Sequence, residues 1–486
     1  MTDKNIDTIR NNLDNGNITS KELFEESIKK AKKFQEEYNS FVTILDDNYK
    51  EEENTSILSG IPYALKDNIS TKGILTTASS NILKNYIPIY DATVYKKLQQ
   101  SGAQLMGKTV LDELAMGGTG TTGHTGIVRN PWDKNRLIGG SSAGSCASVA
   151  LGIVPFSIGS DTGDSIRKPA GYGAVVGFKP TYGRISRYGL FAFASSLDHI
   201  GVFARNVKDC AYVIDVIKGH DKRDMTSLPD DNKKYAQTLD NDVKGRKLFY
   251  IKEVCDKNLY KNSSNIVKEN LDKFTEVINK VKSIGIEVEE VSIDKSLLEA
   301  LYPAYMAISC AESTSNNANL NGISFGNRKE GSSFEEIMFN TRTNGFSELI
   351  KRRFVLGSYI LQKENQEKLF LNATRIRRLI TDKINKLFKT YDGMILPNGS
   401  GIAPLINEST DNLSMEYLIQ DNHLIIGNFG GYPSITIPSG FINNMPISIN
   451  ITGRAKEDDV VLNIAHKIES TLGLKDTISK GGRDNV

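Results

Sequence analysis

The sequence predicts an α/β fold in which helices cover a central β-sheet, and three observations carry that prediction. Short apolar runs such as 61–65 and 153–158 are typical of buried strands. Segments with helical spacing separate these runs, and the alternation continues to about residue 218. The chain has 486 residues, which is enough to bury a large core.

The N-terminal half offers clear boundaries for its elements. Thr19 and Glu22 have the spacing of a capping box, in which each side chain accepts a hydrogen bond from the other residue's backbone N–H, so a helix is predicted to begin there. Asp91 is predicted to cap a second helix that runs to about residue 100. A strand over 103–108 and a tightly packed helix over the small residues 142–152 follow.

The C-terminal half begins with the polar segment 219–246, which we interpret as a segment that runs over the protein surface. Residues 295–390 are mostly helical in pattern, and we interpret them as a cap over a site. The other predicted elements are strands at 247–251, 286–291, 433–438 and 447–451 and a helix at 262–284.

Composition narrows the possible functions. The 60 basic and 58 acidic residues give a net charge of +2, so charge offers no argument for direct nucleic-acid binding. We expect the four widely spaced cysteines to be reduced thiols. The N-terminus mixes charges at once, and no targeting segment or membrane span is visible, so we expect a cytoplasmic protein. The cysteines are Cys146, Cys210, Cys255 and Cys310.

The most informative stretch is 159–170, in which Ser165 follows a glycine-bearing turn. Backbone N–H groups in such a turn can converge on a carbonyl oxygen, so the pattern predicts a nucleophile beside its own oxyanion hole. Arg167 is expected to pair with Asp161 across the turn, although Asp161 could equally cap a helix. A second Ser/Gly-rich segment, 139–145, lies upstream. It lacks the Gly-Lys-Ser/Thr ending of a phosphate-binding P-loop.

A serine nucleophile needs a base. Lys66 ends an apolar run, and burial there would lower its pKa from about 10.4 and allow it to accept a proton. The alternative for an isolated lysine is a solvated surface charge. The chain has five histidines, and His199 lies near the serine turn, so a Ser-His-Asp set stays open at this point. The other four are His124, His220, His423 and His466.

Taken together, these residues resemble the amidase signature family, most densely from 60 to 210 and over nearly the whole chain. The resemblance implies one domain over 1–486, with a mixed β-sheet, helices on both faces, and the helical region of about 295–390 inserted before the last strands. It also implies a Ser–cis-Ser–Lys triad, in which Ser165 is the nucleophile, Ser141 relays the proton across a cis peptide and Lys66 is the base. No metal or organic cofactor is implied for this chain.

Within the family, the segments 112–117, 129–133, 182–201 and 351–357 look like the glutamine-hydrolysing subunits of tRNA-dependent amidotransferases. The resemblance implies that Arg353 holds the α-carboxylate of glutamine, that Asp421 holds its α-amino group, and that Tyr305 lines the same pocket. The guanidinium of an arginine presents paired N–H donors that match a carboxylate, and the carboxylate of an aspartate matches an ammonium group.

The same resemblance implies two partners, the B-subunit and the C-subunit of a heterotrimer. The ammonia would pass to the B-subunit, which uses ATP and Mg²⁺ to convert Glu-tRNA(Gln) to Gln-tRNA(Gln), while the C-subunit holds the other two together. The tRNA would contact the complex rather than this chain, and no membrane is involved.

Asp164 departs from the family pattern, which has glycine at that position. The implied oxyanion hole consists of backbone N–H groups of Thr162, Gly163, Asp164 and Ser165. A side chain and a negative charge there are both unfavourable, so we expect less glutaminase activity than in an Asp164→Gly variant. Besides the amidotransferase component, the alternatives are a stand-alone small-amide amidase and a low-activity scaffold subunit. A pair such as Arg353 and Asp421 favours the first, because a general amidase has no need to grip both charged ends of an amino acid.

Overall fold

The computed structural model describes residues 1–51, 54–408, 414 and 416–483, and its centre is one mixed sheet of eleven strands. The strand order is β1-β3-β2-β4-β6-β5-β10-β11-β9-β7-β8. The strands are β1 Phe41–Ile44, β2 Pro62–Lys66, β3 Gln104–Thr109, β4 Phe156–Asp161, β5 Val176–Lys179, β6 His199–Ala204, β7 Lys247–Ile251, β8 Glu287–Val291, β9 Gly393–Pro397, β10 Ser434–Ile442 and β11 Met445–Gly453.

Helices surround this sheet. Single 3₁₀ turns lie at Asn81–Leu83 and Glu113–Ala115, and π turns at Glu367–Leu371 and Glu416–Gln420. The α-helices of the described residues are α1 Ile6–Asp14, α2 Ser20–Tyr38, α3 Thr93–Gln100, α4 Ala143–Ala150, α5 Arg167–Gly173, α6 Val207–Ile217, α7 Tyr235–Thr238, α8 Lys252–Cys255, α9 Asn265–Ser283, α10 Lys295–Glu299, α11 Leu301–Asn316, α12 Phe334–Gly345, α13 Glu348–Leu361, α14 Lys363–Gln366, α15 Asn372–Leu387, α16 Ile425–Phe429, α17 Asp458–Leu472 and α18 Lys480–Arg483.

The pairing of β2 determines where the site lies. β2 runs parallel to both β3 and β4, so the C-terminal ends of these three strands meet at one edge of the sheet. Successive side chains of a strand point to opposite faces. Tyr63 and Leu65 therefore join the core formed with α1, α3, α6, α9 and α17, while Ala64 joins the core formed with α2 and α4. Lys66 follows Ala64 by two residues and so faces the α4 side.

A third core lies beneath the helices of the cap. Buried residues of α11, α13 and α15 pack there against residues of β7 and β9. This region spans most of the segment in which the sequence pattern predicts helices. No helix in the described ranges is long and apolar enough to span a membrane.

Most of the predicted elements are present, and α1, β1, β5 and β6 are present in addition to them. The capping box of Thr19 and Glu22 is formed, and β7 has the predicted bounds. The strand predicted over 153–158 is instead β4, because Pro155 has no N–H and because antiparallel pairing with β6 continues to Asp161. α3 is capped at Ala92, since Asp91 accepts a hydrogen bond from the N–H of Lys72 instead. β9 was not predicted, because a strand buried along its length shows no polar alternation.

Candidate active site

Lys66 lies at the end of β2 and is fully buried. Its Nζ atom is 2.8 Å from Ser141 Oγ, 2.8 Å from Ser142 Oγ and 2.9 Å from Ser160 Oγ, and it is 3.2 Å from the carbonyl oxygen of Ser160. A charged ammonium donates three hydrogen bonds, whereas a neutral amine donates two and accepts one. The three hydroxyls therefore give Lys66 partners in either protonation state.

Burial lowers the pKa of Lys66 from 10.5 to about 7. Removal from water disfavours the ammonium, and this effect exceeds the opposing influence of the carboxylates of Asp112, Asp161 and Asp198. Lys66 is consequently close to half neutral at pH 7, which is the state that a general base requires. The alternative of a solvated surface lysine is wrong.

The turn that holds Ser141 has an unusual backbone. The peptide bond between Gly140 and Ser141 is cis, as the resemblance implies, and Gly139 has φ of +80°. A Cβ atom on Gly140 would lie 2.0 Å from Asp112 Oδ2, so only glycine fits there. The N–H of Asp112 donates to the carbonyl oxygen of Ser141 at 3.1 Å.

The carboxylate of Asp112 organises the loop next to this turn. It accepts hydrogen bonds from the backbone N–H groups of four consecutive residues, Thr119, Gly120, Thr121 and Thr122, at 3.0–3.2 Å. Sequence reasoning treated Asp112 only as part of a family motif. The glycine- and threonine-rich loop seven residues further on could have indicated a buried carboxylate, because such loops leave several N–H groups free.

Ser165 lies in the turn between β4 and α5 and is 5% exposed. Its carbonyl oxygen accepts a hydrogen bond from the N–H of Ser142 at 3.2 Å, which fixes the two serine turns against each other. Ser165 Oγ forms no hydrogen bond with the described part of the chain, so the predicted contact with Ser141 is not formed as a hydrogen bond here.

The backbone of this turn has unused donors. Within the described ranges, the N–H groups of residues 162–165 donate to no protein acceptor, whereas the next N–H, of Ile166, donates to Asp161 Oδ2 at 2.9 Å. Several free N–H groups beside a serine hydroxyl are what an oxyanion requires.

The ion pair predicted across the turn is present. Arg167 Nη2 lies 3.0 Å from Asp161 Oδ1, and both side chains are fully buried. Arg167 also donates to the carbonyl oxygens of Gly163 and Leu424 and to Asn428 Oδ1, at 2.6–2.7 Å. The neighbouring guanidinium holds the pKa of Asp161 well below its usual range despite the burial, so the pair stays charged and the turn stays rigid.

Asp164 is partly buried, and burial raises the pKa of its carboxyl to about 6. The expectation that its position demands glycine on steric grounds is wrong, because Asp164 is not among the described residues with positive φ. The expected electrostatic cost to the oxyanion remains a prediction.

Arg353 and Tyr305 lie in the cap, on α13 and α11. Arg353 forms no ion pair with any residue in the described ranges, and its buried Nε atom has no hydrogen-bond partner. Its contacts include a thioether and an aromatic ring. Met306 Sδ lies 3.8 Å from Nη1, and the ring centroid of Phe193 lies 5.8 Å from Cζ. The Tyr305 ring covers Gly163, where a Cβ atom would lie 3.0 Å from Cζ of the ring. An unpaired guanidinium beside the serine turn can bind an anion.

Asp421 already has hydrogen-bond and ion-pair partners within the protein. Its Oδ1 atom accepts a hydrogen bond from Ser400 N at 2.9 Å, and its Oδ2 atom accepts one from Ser400 Oγ at 3.1 Å. Lys168 Nζ lies 3.5 Å from Oδ1 and donates to the Asp421 carbonyl oxygen at 2.9 Å. This ion pair was not predicted.

The structure does not support the histidine alternative. His199 is buried in β6, with Nδ1 2.6 Å from the carbonyl oxygen of Leu197, and its Nε2 atom has no partner in the described ranges. Burial lowers the pKa of the ring well below its usual value, so the imidazole is neutral and forms no hydrogen bond with a serine. A search of the same ranges finds no group of three or more His, Cys, Asp or Glu residues that could hold a metal ion.

Comparisons with known proteins agree with this geometry. The family model described as Amidase matches residues 22–462. The A-subunit of the glutamyl-tRNA(Gln) amidotransferase of Halothermothrix orenii is 39% identical over 480 residues, which is 98% of each chain. The crystal structure of the corresponding A-subunit from Thermotoga maritima has a TM-score of 0.78 and 35% identity, covering 93% of this chain and 91% of that one.

A more distant structure shares the fold as well. An inhibitor-bound complex, solved in work on the evolutionary origins of an s-triazine catabolic enzyme, has a TM-score of 0.81 and 27% identity, covering 98% of this chain and 100% of that one. The matched family model spans most of the sequence, and it includes the turns that hold Lys66, Ser141 and Ser165. This chain therefore belongs to the amidase signature family.

Proposed function

We propose that this chain is the glutamine-hydrolysing subunit of a tRNA-dependent amidotransferase. The observation that carries the proposal is the contact between Lys66, buried and with a pKa of about 7, and Ser141 Oγ, beside a serine turn with free N–H groups. The full-length similarity to the A-subunit of the Halothermothrix orenii enzyme supports the choice of glutamine over other amides.

Acylation follows from the proposed roles. Ser165 Oγ attacks the side-chain amide carbon of glutamine, and its proton passes through Ser141 to the neutral amine of Lys66. A C–O bond forms, and the amide oxygen becomes an oxyanion that the N–H groups of residues 162–165 stabilise. Lys66, now an ammonium, returns the proton through Ser141 to the nitrogen as the C–N bond breaks. Ammonia leaves, and a glutamyl ester of Ser165 remains.

Deacylation repeats the same proton path with water. Lys66 takes a proton from the water through Ser141 while the water oxygen attacks the ester carbon. The second tetrahedral intermediate collapses, glutamate leaves, and Ser165 Oγ regains its proton. No redox step or metal is needed, because a base and an oxyanion hole suffice for acyl transfer.

Substrate binding uses the two ends of glutamine. Arg353 binds the α-carboxylate, because its guanidinium has no protein carboxylate to pair with in the described ranges. Tyr305, whose ring covers Gly163 of the serine turn, lines the same pocket in this proposal. Asp421 binds the α-amino group in this proposal, because a carboxylate is complementary to an ammonium.

The ammonia serves a partner in this proposal. The B-subunit activates Glu-tRNA(Gln) with ATP and Mg²⁺ and uses the ammonia to form Gln-tRNA(Gln), and the C-subunit holds the heterotrimer together. The net charge of +2 agrees with tRNA being bound by the complex rather than by this chain. The four free cysteines, three of them buried, agree with a reducing cytoplasm.

The test is ammonia release from glutamine by the chain co-purified with its B and C partners. We expect release by the wild-type complex and its loss in the Ser165→Ala complex, which keeps the fold because only one oxygen atom is removed. A Ser148→Ala variant is the matched control, because Ser148 is a buried serine whose Oγ donates to the carbonyl oxygen of Ser145 and not to Lys66.

Three results would overturn the proposal. Equal release by wild-type and Ser165→Ala complexes would remove Ser165 as the nucleophile. No release from glutamine, with turnover of small amides such as propionamide, would make the chain a stand-alone amidase. A covalent serine probe that fails to label the wild-type chain would instead indicate a scaffold role.

A further inference from the structure

Two turns beneath the cap contain residues in an uncommon backbone conformation. Ala78 and Ser79 have φ of 48° and 49°, and Leu114 and Ala115 have φ of 53° and 61°. Residues with a side chain rarely adopt this left-handed region, so neighbouring contacts must offset the cost of two in succession. The two turns are joined, because the N–H of Leu114 donates to the carbonyl oxygen of Ala78 at 2.9 Å. Strained residues of this kind cluster at functional sites, which directs attention to what the turns hold.

The side chain of Glu113 connects these turns to the cap. Glu113 is 3% exposed, and its Oε1 atom accepts a hydrogen bond from Ser80 Oγ at 2.5 Å. Its Oε2 atom accepts one from the backbone N–H of Ser347 at 3.1 Å. Ser347 is the N-cap residue of α13, and within the described ranges its own side chain makes no capping hydrogen bond. Glu113 therefore satisfies the N-terminus of α13 from another segment, and its negative charge matches the positive end of the helix dipole.

α13 carries this contact to Arg353, which lies within the first two turns of the helix. The inward face of α13, with Ile350 and Phe354, packs in the same core as Leu114. A helix is stiff over so short a length, so a shift of its N-terminus moves the guanidinium with it. The position of Arg353 therefore depends on how the N-terminus of α13 is held.

The residue before Glu113 holds the other half of the site. The N–H of Asp112 donates to the carbonyl oxygen of Ser141 at 3.1 Å, and its carboxylate holds the loop 119–122. Asp112 and Glu113 are neighbours in the chain, so one short segment contacts both the Ser141 turn and the N-terminus of α13. This segment thus sets where Arg353 lies relative to the serine turns.

Building on the proposed function, we propose that Glu113 is a positioning residue for the α-carboxylate end of the amide substrate. It anchors α13 so that the guanidinium of Arg353 meets the carboxylate while the side-chain amide reaches Ser165. Glu113 acts through Arg353 rather than by touching the substrate. Its effect is therefore confined to ligands that carry the carboxylate.

The experiment compares two ligands that separate this role from a general structural one. Glutamine carries the α-carboxylate, and 4-aminobutanamide is the same molecule without it. Their dissociation constants are measured by calorimetry in the intact complex, with Ser165→Ala present throughout to prevent turnover. Glu113→Gln keeps the shape and removes the charge. We expect it to weaken glutamine binding roughly 3- to 10-fold, because a displaced guanidinium loses part of a charge-assisted hydrogen bond, and to change 4-aminobutanamide binding by less than about twofold.

Three further variants make the test specific. Glu348→Gln is the matched control, because Glu348 is an exposed carboxylate in the first turn of α13 that pairs with Lys351, and it is expected to leave both affinities unchanged. Ser80→Ala removes the other hydrogen bond of Glu113, and we expect a smaller change of the same kind. Arg353→Met, alone and combined with Glu113→Gln, tests whether Glu113 acts through Arg353.

Each outcome decides the proposal. A loss of glutamine affinity in Glu113→Gln that spares 4-aminobutanamide and disappears in the Arg353→Met background supports it. Equal losses for both ligands, a loss of the same size in Glu348→Gln, or a loss that persists in full in Arg353→Met overturns it. If the Glu113→Gln complex does not assemble, the Ser80→Ala affinities decide by the same criteria.

Failure of this inference and failure of the proposed function give different results. Unchanged glutamine affinity in Glu113→Gln, with ammonia release by the wild-type complex, overturns the inference and retains the proposed function. Glutamine binding that depends on Glu113, in a complex whose wild type releases no ammonia, overturns the proposed function and retains the inference.

Discussion

Lys66 is expected to set the pH dependence of glutamine hydrolysis. With a pKa of about 7 rather than 10.5, about three quarters of the side chain is neutral at pH 7.5, against about 0.1% for an unperturbed lysine. The difference is close to a thousandfold in the amount of neutral base, which corresponds to about 4 kcal/mol. The burial of one lysine therefore makes most of the side chain available as a base near neutral pH.

The assay is kcat/KM for ammonia release from glutamine between pH 5.5 and 9. We expect it to rise up to tenfold per pH unit below pH 7 and to level off above, because kcat/KM follows the base in the free enzyme. Asp164 titrates near pH 6, so the same profile in Asp164→Asn isolates Lys66. Lys66→Met is expected to lower kcat by about 10³-fold, within the usual range for losing a general base.

Two results would refute the reasoning about Lys66. A kcat/KM that keeps rising through pH 9 would mean that the base retains an ordinary lysine pKa. A Lys66→Met complex with nearly wild-type kcat would mean that another group accepts the proton. Circular dichroism of the variant checks that the loss of activity is not a loss of fold.

Three further predictions concern other parts of the molecule. Asp164→Gly is expected to raise kcat for glutamine about tenfold, since a negative charge near the oxyanion is removed; steady-state kinetics with an unchanged kcat would contradict this. Gly140→Ala is expected to abolish ammonia release, because its Cβ would lie 2.0 Å from Asp112 Oδ2, and activity above one tenth of wild type would contradict it. Burial raises the pKa of Glu469 from 4.5 to about 8. The folded state thus holds this proton more tightly, and stability is lost as pH rises from about 4.5 through 8. Between pH 6 and pH 8.5, urea unfolding is expected to show a loss of stability that is about 2.5 kcal/mol larger in wild type than in Glu469→Gln; equal losses would contradict this.

Local sequence features predicted the structure correctly where residues close together in the chain determine it. The capping box at Thr19, the bounds of β7 and the pairing of Asp161 with Arg167 all depend on residues at most six positions apart. The Lys66–Ser141 contact joins residues 75 positions apart, and it was predicted only through the family resemblance. Spacing and composition alone left His199 open as the base.

Local sequence patterns do not predict other features of the structure, because those features depend on contacts with residues elsewhere in the chain. Lys168 and Asp421 are 253 positions apart, and no local pattern marks them as an ion pair. Asp91 has a suitable residue type for a cap, but Lys72 provides a competing backbone donor. The expectation that the backbone at Asp164 requires glycine was wrong, because residue type alone does not give the φ angle of a turn.

The contacts of Arg167 also have a consequence for the order of synthesis. Arg167 completes the serine turn by donating to Leu424 and Asn428, and β5, which follows α5, pairs with β10 from the last part of the chain. A ribosome must therefore make nearly nine tenths of the protein before the turn can close. Until then, a nascent or prematurely ended chain carries Ser165 without the contacts that order its turn, so we expect such a chain to lack the proposed hydrolase activity.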